Sequence, residues 1–355
     1  MICLLRTDHA GRTGTFPVKK HAGWDRGLKV EASGKGLVGH AGAVLPHRTA
    51  DRVGFPTGLR GALVSSPRML DRANALVALI VGIALGARSV RRAELLARHH
   101  TAVLGDGASD STLWRSLGEI DARARGRIAK ARARVRTQVW DLLAGRAEGF
   151  PWLVILGRPL TGWVVPDLDA TIITASSTKQ GAAGTNKGSY GFHPLAAWCA
   201  NTLETLAMML GPGNAGSNTV ADHIAVIGDA LTQLPRGYRS KILIRIDGAG
   251  ASHGLIEHLL SRSTRRRQAA FTSGFTNTGT EEQAIAALPA DAWGPAFEQD
   301  GRIDPVAQVA ELTGLWRRTG WPTELRYLVR RVKPSRRHAT NLPHTVRDKL
   351  DQTDG

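Results

Sequence analysis

Apolar and polar positions follow two different rhythms along this chain. From about residue 69 to Phe150 apolar residues recur every three or four places, the helical period. That spacing predicts helices over 70–85 and 90–99 and, after the turn GDGASD, another from Ser111. Asp110 or Ser111 offers that helix an N-cap, and Leu113, Trp114 and Leu117 are spaced to face a core. The next stretch, IDARARGRIAKARARVRTQVWDLL, sets Ile128, Val135, Val139 and Leu142 on one helical face. Beyond Phe150 the pattern becomes strands alternating with helices: strands over 152–156, 164–174, 193–199 and 205–210 suggest a meander, followed by a helix over 218–234. Residues 241–246 are apolar almost without a break, as in a strand covered on both faces, and 253–261 read as the helix after it. Strands joined by crossover helices predict an α/β core. The first 65 residues, rich in Gly, Arg, Lys and His, show no such period. The expected plan is an irregular basic arm (1–65), a helical region (66–150), an α/β core (151–337) and an atypical tail (338–355).

Composition points to the partner. Of 355 residues, 47 are Lys or Arg against 30 Asp or Glu, a formal net charge of +17 and a pI near 10.9, which favours a polyanion through counterion release. The basic residues are spread along the chain instead of gathering on one amphipathic helix, which argues for nucleic acid over a membrane surface. The apolar run over 73–87 is short for a bilayer span and reads as a buried helix. On the helix around residue 130, Arg123, Arg125, Arg127, Lys130, Arg132, Arg134 and Arg136 crowd the faces left by the apolar stripe. A phosphate backbone can lie along them, and Arg123, Arg127 and Arg134 are the expected DNA contacts; a solvated surface helix is the bland alternative. Cys3 and Cys199 have no paired spacing, so neither a disulfide framework nor a thiolate zinc site is supported and a reducing cytoplasm fits.

Three acids carry the candidate chemistry. Asp167 and Asp169 stand in VVPDLDATIITA and Asp247 in KILIRIDGAGASH, each at the polar end of an apolar, strand-like run. Folding can bring such carboxylates to one sheet edge, where a divalent metal would bind for phosphodiester chemistry. Residues two apart in a strand share a face, so Asp167 and Asp169 point the same way, although Asp-x-Asp at a strand end is commonly a turn or surface feature. Asp247 precedes Gly248 and Gly250, whose backbone admits a bulky ligand; its bland role, capping the next helix, is better filled by Ser252. Arg245 shares the face of Asp247 and can contact phosphate, or can blunt a sheet edge. His193, beside Pro194, is more simply a turn residue than a phosphate contact. Thr219 and Asp222 form a capping-box pattern, and Asn214, Asn218, Asp222 and His223 are spaced to line a polar groove.

The runs VVPDLDATIITASSTKQGAAGTNKGSYGFHPL, GPGNAGSNTVADHI and ILIRIDGAGASHGLIEHL, in that order, closely resemble bacterial insertion-sequence transposases with a DDE catalytic core, over roughly residues 69–337. The resemblance implies an RNase-H-like mixed sheet flanked by helices behind a helical DNA-binding region. It places the first acid on the first core strand and the second just after the fourth. Asp169, followed by a small residue and Thr, matches the first in preference to Asp167, and Asp247 matches the second. It also implies Mg²⁺, with Mn²⁺ as the alternative ion, held by Asp169 and Asp247 with Asp167 at hand. The implied activity is metal-dependent cleavage and strand transfer of double-stranded DNA, at transposon ends and target, by a cytoplasmic, nucleoid-associated protein, with a homodimer as an allowed assembly. Beyond Arg337 the family continues with strands and a helix bearing a catalytic Glu, where this chain has RRHATNLPHTVRDKLDQTDG. Glu257, Glu281, Glu282, Glu298, Glu311 and Glu324 all precede that point, and Glu281 with Glu282 read as part of a solvent-facing helix. The expectation is a truncated chain lacking its third acid. That leaves as rivals a catalytically dead protein occupying transposon ends and a metal nuclease that cleaves without joining.

Overall fold

The computed structural model of the chain describes residues 4–7, 28–31, 40–63, 71–104, 107–175, 179–215, 218–247, 252–275, 279–298 and 300–333. The start expected for a helix at residue 70, the glycines after Asp247 and the tail over 338–355 lie outside the described residues. The chain divides into two compact units, one of Met1–Phe150 with Thr232–Pro235, the other of Pro151–Leu231 with Arg236–Gly355.

The first unit opens with an antiparallel pair, β1 (Leu4–Thr7) and β2 (Leu28–Glu31). Helices follow: α1 (Val44–Arg52), α2 (Phe55–Ala62), α3 (Arg72–Ala84), α4 (Val90–His99), α5 (Thr101–Leu104), α6 (Asp110–Gly118) and α7 (Ala122–Ala144). The arm expected to be irregular through residue 65 is therefore helical from Val44 onward. Pro56, Leu59 and Ala62 recur every third place on α2 and are buried, and Val44 and Leu59 join a core with Leu76, Val77, Leu79 and Leu113. Helix α3 buries Ala73, Ala75, Leu76, Val77, Leu79 and Val81 but leaves Ile80 and Ile83 exposed, so it is buried on one side only, and no helix among the described residues is long and apolar enough to cross a membrane. Asp71, Ser89, Ser109 and Asp121 accept backbone N–H groups at the starts of α3, α4, α6 and α7. The cap of α6 is thus Ser109, one place before the expected pair, and Asp110 becomes the first helical residue, where its charge suits the helix dipole. Starting there, α6 turns Leu113 inward and leaves Trp114 61% exposed, contrary to its expected core role.

The buried line of α7 is also displaced. It runs through Ala124, Ala131, Arg136 and Trp140, while Ile128, Val135 and Val139 are half-buried and Leu142 is exposed. Close packing on α2 explains the shift: a Cβ built on Gly58 would lie 3.4 Å from the Ala131 Cβ, a gap with no room for a branched side chain. Arg136 is buried because its Nη1 donates to Gln233 Oε1 at 2.7 Å, while Gln233 Nε2 donates to the Ala129 carbonyl at 3.1 Å.

The second unit begins with a hairpin, β3 (Val154–Ile155) and β4 (Arg158–Pro159), followed by β5 (Trp163–Val164), β6 (Pro166–Ala170), β7 (Ile173–Thr174), β8 (Ala183–Gly184), β9 (Tyr190–Phe192), β10 (Leu195–Cys199) and β11 (Glu204–Met209). Then come α8 (Val220–Gln233), whose last two residues belong to the first unit, β12 (Lys241–Ile246), α9 (His253–Ser261), β13 (Gln268–Ser273) and α10 (Gly279–Ala286). β14 (Gly294–Phe297), β15 (Ile303–Glu311) and β16 (Leu328–Val332) close the described chain as an antiparallel sheet that the sequence pattern did not announce. The main sheet runs β11-β10-β6-β12-β13, with β5 also on β12; β6, β10 and β11 form an antiparallel meander, and β12 lies parallel to both β6 and β13. This is the expected α/β class with a mixed sheet. The strand expected at 152–156 is not in the meander, and the one expected over 164–174 is three short strands. The break falls at Val165, whose N–H donates to the buried Asn201 Oδ1 at 2.9 Å and whose carbonyl accepts from Ala200 N–H at 2.8 Å, so a turn replaces a neighbouring strand. β12 is covered on one face only: Ile242, Ile244 and Ile246 are buried, whereas Lys241 and Arg245 are exposed.

Candidate active site

Parallel pairing of β6 with β12 sets Asp167 beside Arg245 and Leu168 beside Ile246. The pairing ends at Leu168 and Ile246; Asp169 follows Leu168 within β6 and Asp247 directly follows the last residue of β12, so the two acids stand at the same end of the paired segment. Leu168 and Ile246 are 3% and 6% exposed and point into the core. Side chains alternate along a strand, so Asp167 and Asp169 share one face of β6, with Arg245 beside Asp167; Asp169 and Asp247 are exposed. On the other side of β6, Ala196 and Trp198 of β10 stand against Asp169 and Asp167.

The three acids differ in their partners. Arg245 forks onto Asp167, with Nε donating to Oδ1 at 2.5 Å and Nη2 to Oδ2 at 2.6 Å. That bond to Asp167 holds the guanidinium pKa above its ordinary value. Asp169 Oδ1 accepts from the N–H of Ala170 at 2.8 Å, which fixes its orientation without neutralising it. Among the described residues neither Asp169 nor Asp247 forms an ion pair. A hard divalent cation takes oxygen ligands and keeps waters or phosphate oxygens in its remaining positions, so two neighbouring, unneutralised carboxylates on an open face suit it. No group of three or more His, Cys, Asp or Glu among the described residues is arranged to hold a metal without such help. Beside the Asp167–Arg245 fork a cavity of about 480 Å³ opens, lined on its apolar side by Leu153, Ile155, Trp198 and Leu203.

Other predicted residues take structural places. The backbone N–H of His193 donates to the Gly211 carbonyl at 2.9 Å, a long-range bond in line with the β10–β11 pairing. The capping box is present: Asp222 Oδ2 accepts from Thr219 N–H at 2.9 Å and Oγ1 at 2.7 Å, and Thr219 Oγ1 accepts from Asp222 N–H at 3.2 Å. Those Thr219 bonds lower the Asp222 pKa. His223, expected to line a polar groove, is 5% exposed with Nδ1 2.9 Å from the Thr219 carbonyl oxygen. Glu281, expected on a solvent-facing helix, is 2% exposed on α10 and accepts from Thr280 Oγ1 at 3.1 Å, while Glu282 is exposed as expected. Glu257, Glu298 and Glu324 are exposed; Glu311, also exposed, is forked by Arg326 at 2.9 and 2.7 Å, which lowers its pKa to about 2. In the first unit Arg123 and Arg134 are exposed on α7, whereas Arg127 is half-buried and its Nε donates to the Ala62 carbonyl at 2.6 Å. Two features of the site were not anticipated: the Asp167–Arg245 fork and the supporting Asn201. Strand parity could have found the first; nothing local marks the second.

A family model described as transposase DDE domain group 1 matches residues 20–348, beginning well ahead of the three motifs. No curated protein matches the sequence. Among solved structures, similarity is found to a piggyBac transposase in a synaptic complex with hairpin DNA, at 14% identity and a TM-score of 0.34, over 88% of this chain and 65% of that one. The chain thus spans 65% of the length of that transposase.

Proposed function

The chain belongs to the transposase DDE domain group 1 family, and from that membership we propose that it is an insertion-sequence transposase that cleaves and joins DNA strands with Asp169 and Asp247 as its metal-holding acids. The observation that supports the assignment is the parallel pairing of β6 with β12 through Leu168 and Ile246, the residues directly before these two exposed acids. Domains of this family generally use divalent metal ions. Mg²⁺, with Mn²⁺ as the alternative, supplies when bound the activation of water or a DNA 3′ hydroxyl and the stabilisation of the leaving oxygen. The protein's part is to hold two carboxylates where a phosphodiester can approach. Asp169 is oriented by the Ala170 N–H, and Asp247 stands at the carboxyl end of β12. Asp167, already neutralised by Arg245, is the weaker candidate for the first acid, and Arg245 is correspondingly less free to meet phosphate than the sequence suggested. Exposed Arg123 and Arg134, with half-buried Arg127, form the basic face of α7 offered to the DNA backbone.

Nicking of duplexes carrying the element's terminal repeats, assayed with Mg²⁺ and with Mn²⁺, tests the assignment. Asp169→Ala and Asp247→Ala are each expected to lower the rate by about a hundredfold or more, the scale of losing one electrostatic contact to the transition state. Undiminished nicking by either protein would remove that acid from the mechanism. Binding to the repeats without nicking in either metal would leave end-binding alone as the function, and cleavage without joining would favour a nuclease.

A further inference from the structure

Asp167 and Arg245 pair across β6 and β12, two residues before Asp169 and Asp247, both of which are exposed. The fork between them is short and bidentate but not sealed from water, since the two side chains are 33% and 47% exposed. Deprived of its partner, either group can therefore turn elsewhere. For the guanidinium the nearest unneutralised anions two places along the strands are Asp169 and Asp247, about 7 Å away along each strand axis. For the Asp167 carboxylate the nearest destination is whatever cation those two acids hold. Resting on the reading of Asp169 and Asp247 as metal acids, we propose that the Asp167–Arg245 fork is a charge lock on the site: Arg245 withholds a third carboxylate from the metal, and Asp167 withholds a competing cation from the two acids.

Opposite effects follow from breaking the two halves. Removing the guanidinium frees Asp167 to add its charge to the site, which tightens cation binding. Removing the Asp167 charge frees Arg245 to pair with Asp169 or Asp247, which weakens it. A fork that served only to staple β6 to β12 would give the same sign in both cases, because either loss would loosen the register on which the acids depend. Both groups thus act as positioning residues that set how many charges the metal meets.

Titration of the full chain with Mn²⁺, following the free ion by electron paramagnetic resonance, separates these outcomes. Arg245→Gln is expected to bind Mn²⁺ more tightly than the unmodified chain by about tenfold or more, and Asp167→Asn more weakly by about tenfold or more; about tenfold is the order for one unit charge about 7 Å from a divalent ion screened as in bulk water, the lower limit for these half-exposed groups. The double substitution should return close to the starting affinity. Arg245→Lys, which keeps the charge but not the fork, should stay within about threefold of it and serves as a check should Arg245→Gln melt early. Weakening in both single variants, or no change in either, would overturn the lock. Asp169→Asn and Asp247→Asn isolate the underlying reading: if they leave Mn²⁺ affinity intact, the metal assignment itself fails; if they abolish binding while the fork variants do not diverge, only the lock does.

Discussion

Asn201 shows how much of the site rests on a residue with no chemistry of its own. Its Oδ1 accepts from Val165 N–H at 2.9 Å and its Nδ2 donates to the Trp163 carbonyl at 3.2 Å, so one buried amide serves the backbone where β5 gives way to β6. Asn201→Leu keeps the bulk but strands both backbone groups, at a cost of about 2–4 kcal/mol. Urea denaturation should show that loss, and a cost below about 0.5 kcal/mol would mean that water replaces the amide without penalty. Such a residue could not be found in the sequence, because its partners are backbone groups that every residue carries. The Asp167–Arg245 fork was legible in principle: two charges of opposite sign at matched positions on neighbouring parallel strands share a face once the register is known.

Within an element, burial decides which arginine does what. Helix α7 carries seven named basic residues, yet Arg136 is 5% exposed and bonded to Gln233, while Arg123 and Arg134 face water. Arg136→Ala removes a charged donor from a buried polar pair and should cost about 2–3 kcal/mol, whereas Arg134→Ala should change stability by less than about 0.5 kcal/mol. Equal melting behaviour of the two proteins would show that exposure does not sort this helix. The sequence did not reveal the distinction, because the face α7 buries is chosen by the close approach of Ala131 to Gly58 rather than by its largest aliphatics. Helices α1 and α2 were hidden for another reason: they are short and interrupted by Pro and Gly, so their apolar residues span too few turns to show a period. Elsewhere the bounds were readable to the residue: α4 and α9 lie where the helical period placed them, and β12 where the apolar run placed it, although that run suggests a strand covered on both faces and only one is. Those elements owe their form to local order, whereas the bond from Arg136 to Gln233 joins residues 97 apart, and no local pattern announces it.

The net charge of +17 is a property of the whole molecule, and its consequence is long-range attraction to a polyanion, whatever the detail of the acids. Attraction by counterion release has a signature that contact chemistry lacks: the logarithm of affinity falls linearly with the logarithm of salt, by about 0.9 for each phosphate neutralised. If exposed arginines of α7 lie on the DNA backbone, Arg123→Gln and Arg134→Gln should each lower affinity for terminal-repeat duplexes and flatten that slope by about one unit, alike for specific and random sequence. Asp169→Asn should leave the slope unchanged or steepen it slightly, because removing an exposed carboxylate takes away repulsion of DNA and adds no phosphate contact. Binding and cleavage would then separate along the chain: arginines that set how the protein responds to salt, and acids that set whether it cuts. Fluorescence anisotropy between about 50 and 300 mM salt measures this directly. Slopes that ignore Arg123 and Arg134 would move the DNA-binding face off α7, and a slope near zero would remove the polyanion reading altogether, since so basic a chain cannot meet phosphates without releasing their counterions.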